Sequence, residues 1–181
     1  MTRRKVLLTL IAATAGILLT GLVAFVWNGM APREPVSDAA AGRPLPSFAL
    51  PGLEDGGRGL TSDDFGGGVT VINLFASWCV PCLAEHPFIT GLSREPGVTV
   101  VGIAWMDDPA ATAAWLAEHG NPYVRIGMDR TGRLKQALQI EGVPTTFIID
   151  ADGRIRFQRD GPLVAENAVA DFRSALDAVR R

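Results

Sequence analysis

Apolar residues form one long uninterrupted run near the start of the chain and then a series of short runs separated by polar turns. Residues 6–27 contain no charged side chain, and their polar members are threonines and glycines. A bilayer core requires about 20 apolar residues, whereas the apolar part of a cleaved signal peptide has about 7–15. The length therefore predicts a transmembrane anchor over residues 6–27, with a long cleaved signal peptide as the alternative.

Positive charges precede this run and prolines follow it. Arg3, Arg4 and Lys5 should stay in the cytoplasm, because basic residues beside a membrane span favour that side. Residues 1–5 are therefore predicted to be a cytoplasmic N-terminus, and the rest of the chain faces outward. In a bacterium this places the protein in the inner membrane, with its C-terminal part in the periplasm. Residues 28–46 are rich in proline and poor in large apolar residues, which predicts an extended linker.

Residues 47–181 have the length of one domain, in which buried strands alternate with helices. The apolar runs predict strands at 48–50, 69–75, 98–104, 123–127, 145–149 and 154–158. Helical spacing of apolar residues predicts helices at 80–94, 109–119, 130–139 and 164–179. The polar sequence between the last two strands is typical of a hairpin. Parallel β-α-β units followed by a hairpin and a closing helix predict an α/β fold with a mixed sheet.

Composition restricts the partners of this domain. The chain is 48% hydrophobic, so the domain can bury a substantial core, and its net charge is −2. The basic cluster lies ahead of the predicted anchor, and acidic side chains outnumber basic ones in the domain itself. This balance gives no basis for nucleic-acid binding and fits a protein or small-molecule partner.

The chemistry of the domain is expected at its cysteines. Cys79 and Cys82 are the two cysteines of the chain, and a disulfide between them would close too short a loop to stabilise the fold much. Redox exchange and metal binding remain. Zinc requires about four ligands, and only His86 lies nearby, since His119 belongs to a different predicted helix. Covalent haem attachment requires histidine directly after the second cysteine, where this chain has Leu83.

The predicted position of the cysteines favours thiol–disulfide exchange. Cys79 follows a predicted strand and precedes a predicted helix, whose free N–H groups and dipole stabilise a thiolate. We therefore expect Cys79 to be the exposed nucleophile with a lowered thiol pKa. Cys82 is expected to be the less exposed resolving thiol that cleaves the mixed disulfide formed between Cys79 and a partner.

Three neighbouring residues are candidates for tuning the reaction or docking a partner. Pro81 removes a backbone donor and stiffens the loop. Glu85 lies one helical turn after Cys82, where a carboxylate can raise thiol pKa values or relay a proton; a solvated helix residue is the alternative. Trp78 either packs in the core or forms part of a partner-docking surface.

A second candidate stretch is Val143-Pro144-Thr145. X–Pro bonds are the usual location of cis peptides, and a cis bond here would direct the backbone of Val143 toward the cysteines. There it could pair with an extended substrate. A trans turn at the start of a strand is the ordinary alternative.

Several motifs are shared with a known superfamily. Trp78-Cys79-x-x-Cys82, Pro87 in the same helix and Pro144 before a strand resemble the thioredoxin superfamily. More specific motifs resemble those of the membrane-anchored CcmG/DsbE group of this superfamily, which serves cytochrome c maturation. These motifs are residues 73–82 (Asn-Leu-Phe-Ala-Ser-Trp-Cys-Val-Pro-Cys), 85–87, 107–109, 115–116, 120–123 and 161–163.

The resemblance implies a thioredoxin-like fold and a protein-disulfide reductase that faces the periplasm. Its substrates would be the haem-binding cysteines of apocytochrome c or a thiol protein of the maturation machinery. Electrons would come from a membrane thiol transporter of the DsbD/CcdA type. The resemblance also implies that Pro144 is cis, and no cofactor or metal is expected.

Two positions differ from related proteins. General thioredoxins have a buried aspartate at the position where this chain has Asn73. Asparagine at this position matches the CcmG group, and the absence of the aspartate directs attention to Glu85 as the nearby acid. Thr145 replaces the acidic residue that CcmG proteins have after the proline, and Glu141 replaces a common aromatic. The Pro-Thr-Thr-Phe sequence is closer to TlpA-like reductants.

The alternatives are therefore a TlpA-like reductant of copper-site cysteines in oxidase assembly and a docking module without redox chemistry. The motif does not decide between a reductant and a general oxidant.

Overall fold

The computed structural model describes residues 42–54 and 56–181. The predicted cytoplasmic N-terminus, the predicted anchor over 6–27 and the linker up to residue 41 lie outside the described residues. None of the helices in the described part of the chain has the length and apolar character needed to cross a bilayer.

The described residues form short strands and helices that alternate along the chain. In chain order they are β1 Ala49–Leu50, β2 Leu60–Thr61, β3 Val69–Phe75, α1 Val80–Leu92, β4 Val98–Trp105, α2 Pro109–His119, β5 Ile126–Asp129, α3 Leu134–Leu138, β6 Thr145–Ile149, β7 Ile155–Asp160 and α4 Glu166–Arg180. A 3₁₀ turn at Ser62–Asp64 follows β2.

The main sheet has five strands in the order β5-β4-β3-β6-β7, and β1 and β2 form a separate antiparallel pair. Strands β3, β4 and β5 are parallel, whereas β6 runs antiparallel to β3 and pairs with β7 as a hairpin. The predicted α/β fold with a mixed sheet is confirmed. The parallel strands end at one edge of the sheet, which therefore collects the loops that follow β3 and β4.

Strand β3 is central and buried on both faces. Val71 and Phe75 belong to a core cluster that includes both cysteines and residues of α1 and α4. Ile72 and Leu74 belong to a second cluster on the other face of the sheet. Because side chains alternate along a strand, Asn73 faces the same side as Val71 and Phe75, beneath the cysteines.

The largest differences from the predicted elements surround β5 and α3. The predicted strand 123–127 is found at Ile126–Asp129, and the predicted helix 130–139 shrinks to Leu134–Leu138. The carboxylate of Asp129 accepts hydrogen bonds from the backbone N–H groups of Arg133 and Leu134. These bonds hold the residues between β5 and α3 in a turn, so α3 begins later than the apolar pattern predicts.

The closing helix is also displaced slightly. It runs from Glu166 to Arg180 and buries Ala168, Phe172 and Leu176, as the predicted apolar face requires. Val164, where the predicted helix begins, is exposed because it precedes the N-cap and lies in the loop. Strand β2, Leu60–Thr61, was not predicted. The other strands and helices agree with their predicted bounds to within about two residues, which is the usual variation at element ends.

Candidate active site

The two cysteines lie where β3 ends and α1 begins, and they are joined by a disulfide. Cys79 is the N-cap of α1, and its Sγ accepts a hydrogen bond from the Cys82 backbone N–H at 3.2 Å. Pro81 lies in the first turn, where its missing N–H leaves no unpaired donor. The helix N-terminus thus stabilises negative charge at the Cys79 sulfur.

The exposure of the cysteines differs from the prediction. Cys79 is 4% exposed and Cys82 is 2% exposed, so the expectation of an exposed Cys79 is wrong for the disulfide form. The reason is local: the Cys79 side chain folds over the first helical turn to reach both the Cys82 sulfur and the Cys82 N–H.

Apolar side chains surround this disulfide on the protein surface. Six large apolar side chains are exposed within the described residues, and four of them, here called the apolar rim, adjoin the cysteine turn: Trp78, Val80, Leu83 and Met106. Trp78 is 57% exposed, which excludes simple core packing. Its Nε1 donates to the Met106 carbonyl oxygen at 3.2 Å. Exposed apolar patches of this kind mark interaction sites.

Glu85 lies below the disulfide and is buried, which excludes a solvated helix residue. It is 1% exposed. Its Oε1 accepts from Asn73 Nδ2 at 2.8 Å, and its Oε2 accepts from the Leu163 N–H at 2.9 Å. Burial raises the pKa of Glu85 to about 7, although the bonds from Leu163 and Asn73 act in the opposite direction. A carboxyl with this pKa can take up or release a proton near neutral pH.

Asn73 connects Glu85 to two further polar side chains. Its Nδ2 also donates to Thr146 Oγ1 at 3.1 Å, and its Oδ1 accepts from the Tyr123 hydroxyl at 2.7 Å. Burial raises the pKa of Tyr123 well above its ordinary value, and the negative charge of Glu85 adds to this. Tyr123 therefore stays a neutral donor, and the polar groups beneath the disulfide satisfy one another.

The loop before β6 reaches the same region. The Val143–Pro144 peptide bond is cis, and Val143 packs against the core cluster that contains both cysteines. Thr145 is fully buried, and its Oγ1 lies 2.7 Å from the Gly142 carbonyl oxygen and 2.8 Å from Asp160 Oδ1. Its side chain thus holds the loop from inside and does not face a partner, contrary to the docking role predicted for it.

The histidine beside Glu85 is held away from the cysteines. His86 is buried, its Nε2 is 3.0 Å from the Gly120 carbonyl oxygen, and burial lowers its pKa. Within residues 42–54 and 56–181, no group of three or more histidine, cysteine, aspartate or glutamate side chains is arranged to hold a metal ion.

Comparison with known proteins identifies the family. A family model described as Redoxin matches residues 40–176. The chain belongs to the Redoxin family. Among curated relatives, thiol:disulfide interchange protein DsbE of Allochromatium vinosum is 37% identical over 153 residues, which cover 83% of each chain. DsbE of Pseudomonas aeruginosa is 40% identical over 143 residues, which cover 78% of each.

The chain is also similar to a solved structure of a thiol:disulfide interchange protein. A thiol:disulfide interchange protein of the thioredoxin family from Chlorobium tepidum aligns with a TM-score of 0.58 and 28% identity, covering 77% of this chain and 97% of that one. The predicted thioredoxin-like fold and the predicted resemblance to the CcmG/DsbE group are confirmed.

Sequence reasoning missed part of the buried network in this Redoxin-family chain. Tyr123, Thr146 and Leu163 were noticed only as members of motifs, without a role. A hydroxyl at Tyr123, in a segment with few other polar side chains, was the available signal. Its partner Asn73 lies far away in the chain, so no local pattern connects the two.

Proposed function

We propose that this protein is a thiol:disulfide oxidoreductase that serves as a periplasm-facing dithiol reductant in cytochrome c maturation. The observation that carries the proposal is the Cys79–Cys82 pair at the N-terminus of α1, with the buried carboxyl of Glu85 one turn below it. The DsbE-type relatives support the exchange chemistry, and the motif resemblance supports the cytochrome c client.

The reaction transfers two electrons to the partner. The Cys79 thiolate attacks one sulfur of the partner's disulfide, which forms a mixed disulfide and releases the first partner thiolate. The Cys82 thiolate then attacks the Cys79 sulfur, which forms the intramolecular disulfide and releases the second partner thiolate. The partner gains two electrons and two protons. A membrane thiol donor of the DsbD/CcdA type would return the protein to its dithiol form.

Glu85 is proposed to move the proton in the second step. The Cys82 thiol must lose its proton to attack, and a carboxyl with a pKa of about 7 is matched to that task near neutral pH. Glu85 is held by Asn73 and the Leu163 N–H, so it is positioned before the partner arrives.

The client is tested by deletion of the gene. We expect the deletion strain to lose covalently haem-bound c-type cytochromes, and an external thiol reductant to restore them, because the protein would supply only electrons. Haem staining of membrane fractions measures both effects. A plasmid copy that carries Cys79→Ser should fail to complement, whereas a plasmid copy of the unchanged gene should succeed. Normal cytochrome c in the deletion strain would contradict the proposal.

The location is proposed from the N-terminal residues. Residues 6–27 would anchor the protein in the inner membrane, with residues 47–181 in the periplasm. Alkaline phosphatase fused after residue 181 should be active, since that enzyme requires an oxidising compartment to form its disulfides. The fusion should remain in the membrane after carbonate washing. An inactive fusion would overturn the orientation, and an active but soluble one would favour a cleaved signal.

A TlpA-like reductant of copper-site cysteines is the second candidate. The Pro144-Thr145-Thr146-Phe147 sequence favours it, because the acidic residue typical of the CcmG group is absent at Thr145. The two candidates share the chemistry and differ in the client. Capture of the client through a mixed disulfide separates them.

A further inference from the structure

The turn that carries Trp78 and Cys79 is held by a buried carboxylate that the exchange chemistry above does not use. Asp107 follows β4 and is 7% exposed. Its Oδ2 accepts from the Ser77 backbone N–H at 2.7 Å, and its Oδ1 accepts from Ser77 Oγ at 2.8 Å. One carboxylate therefore holds both the backbone and the side chain of Ser77, two residues before the nucleophile.

The same carboxylate is also tied to α2. Asp107 Oδ1 accepts from the Asp108 backbone N–H at 2.9 Å, and Oδ2 accepts from Thr112 Oγ1 at 2.8 Å. Thr112 is fully buried in α2. A carboxylate has about four acceptor positions, and four donors fill them here. The turn before α1 is thereby connected to the start of α2.

The loop after β4 contacts the turn at a second point. Trp78 Nε1 donates to the Met106 carbonyl oxygen. The backbone of Met106 has a φ of 51°, a left-handed conformation that residues other than glycine rarely adopt. Its N–H is bonded to the Asp129 carbonyl oxygen at 2.8 Å. Residues outside regular structure persist in such conformations only where their surroundings impose them, and they concentrate at functional sites.

The position of Ser77 determines the position of Cys79. The Cys79 N–H donates to the Ala76 carbonyl oxygen at 3.1 Å, and this bond closes a tight turn that contains Ser77 and Trp78. We propose that Asp107 is a positioning residue for thiol–disulfide exchange, which holds the Ala76–Cys79 turn so that the Cys79 sulfur stays at the N-terminus of α1. There the N–H groups of the helix stabilise the thiolate.

Two effects of Asp107 on Cys79 have opposite signs. A negative charge nearby disfavours the thiolate, whereas correct placement at the helix N-terminus favours it. The four donors offset much of the carboxylate's charge, so placement is the larger effect. Removal of the carboxylate should therefore make the Cys79 thiolate harder to form.

The test is the pH profile of Cys79 alkylation in the reduced, full-length protein. Iodoacetamide reacts with the thiolate, and mass spectrometry locates the modified cysteine. In Asp107→Ala the midpoint of the profile should move upward by roughly half a pH unit, the size of effect that a helix terminus has on a charge. Ser77→Ala, which keeps the backbone bond and the carboxylate, should move it in the same direction by less.

Asp129→Ala is the matched control. Asp129 is a buried carboxylate at the end of β5 that also accepts two backbone N–H bonds, but these bonds hold α3. Asp129→Ala removes the side chain but keeps the backbone carbonyl that accepts from the Met106 N–H, so this variant should lower thermal stability and leave the Cys79 profile unchanged. If Asp107→Ala does not fold, Ser77→Ala decides.

An unchanged or downward-shifted profile in the Asp107 and Ser77 variants would overturn the inference. The inference about Asp107 rests on the exchange chemistry proposed above and does not depend on which client the protein reduces. Failure of that function would instead be seen as unchanged biological activity in Cys79→Ser.

Discussion

Cys82→Ser is expected to accumulate a covalent complex with the natural client, and Cys79→Ser is expected to abolish both the complex and the reductase activity. Without Cys82 the mixed disulfide at Cys79 has no resolving thiol, so it persists. Without Cys79 the protein lacks the thiolate at the N-cap of α1 that attacks the partner, and Cys82, which lies within the helix, does not replace it. Non-reducing electrophoresis of a strain that expresses each variant, followed by mass spectrometry, measures both results.

The trapped client decides between the two proposed functions. Apocytochrome c or a thiol protein of the maturation machinery supports the first proposal, whereas copper-site proteins alone support the TlpA-like candidate. The Cys79→Ser/Cys82→Ser double variant is the control for non-covalent capture. Full biological activity of Cys79→Ser would show that the domain is a docking module, and both redox proposals would then fail.

The apolar rim can be tested in the same experiment. Trp78→Ala in the Cys82→Ser background should lower the yield of the trapped complex, because the largest side chain of the rim is lost. Val124→Ala is its control. Val124 is exposed but lies beside Val100 near the start of β4, at the opposite end of the sheet from the cysteines. Equal yields of the trapped complex from Trp78→Ala and Val124→Ala would show that the apolar rim does not contribute to partner docking.

The oxidised wild-type protein is expected to lose about 3 kcal/mol of unfolding free energy between about pH 4 and pH 8 that Glu85→Gln does not lose. The pKa of Glu85 is raised from 4.5 to about 7 in the folded state, so the folded protein binds this proton more tightly than the unfolded chain does. The contribution of this Glu85 proton to the free energy of unfolding is fully present below about pH 4.5 and is lost as the pH rises through about 7. Each pH unit between these values accounts for about 1.4 kcal/mol.

Urea unfolding of the oxidised protein between about pH 4 and pH 8 measures this effect. The wild-type curve should fall across that range relative to Glu85→Gln, which has no proton to lose. The matched control is Glu95→Gln. Glu95 pairs with Arg173 and Arg180, and these partners lower its pKa, so its contribution is present above the unfolded pKa and is lost as the pH falls. Glu95→Gln should therefore reduce stability above neutral pH, and parallel pH curves for wild type and Glu85→Gln would contradict the Glu85 assignment.

The redox chemistry was visible in the sequence because it depends on residues that are adjacent in the chain. Cys79 and Cys82 are separated by only two residues, and the strand before them and the helix after them follow from local apolar spacing. Strand β3 was predicted with its observed bounds, Val69–Phe75, because a central strand buried on both faces leaves an uninterrupted apolar run. The anchor was predicted in the same way, from a local run, and it stays a prediction.

The environment of the cysteines was decided by tertiary structure. Glu85 could be a solvated or a buried residue until Asn73 and Leu163 were placed against it, since helical spacing alone does not specify which elements cover a face. The burial of Thr145 depends on Asp160, which lies on the next strand and reaches it through hairpin pairing. Asp107 and Ser77 meet only because β3 and β4 are parallel neighbours.

The sequence by itself thus determined the reactive pair, the alternation of strands and helices along the chain apart from β2, and the type of fold, since each depends on local periodicity and on spacing within a few residues. Only the tertiary structure decided which side chains surround that pair. Hydrogen bonds between groups tens of residues apart leave no periodic signal in the chain, and they form only after the strands have paired. The Cys79–Cys82 turn is therefore encoded locally, whereas its support by Glu85, Asn73 and Asp107 is a property of the folded sheet.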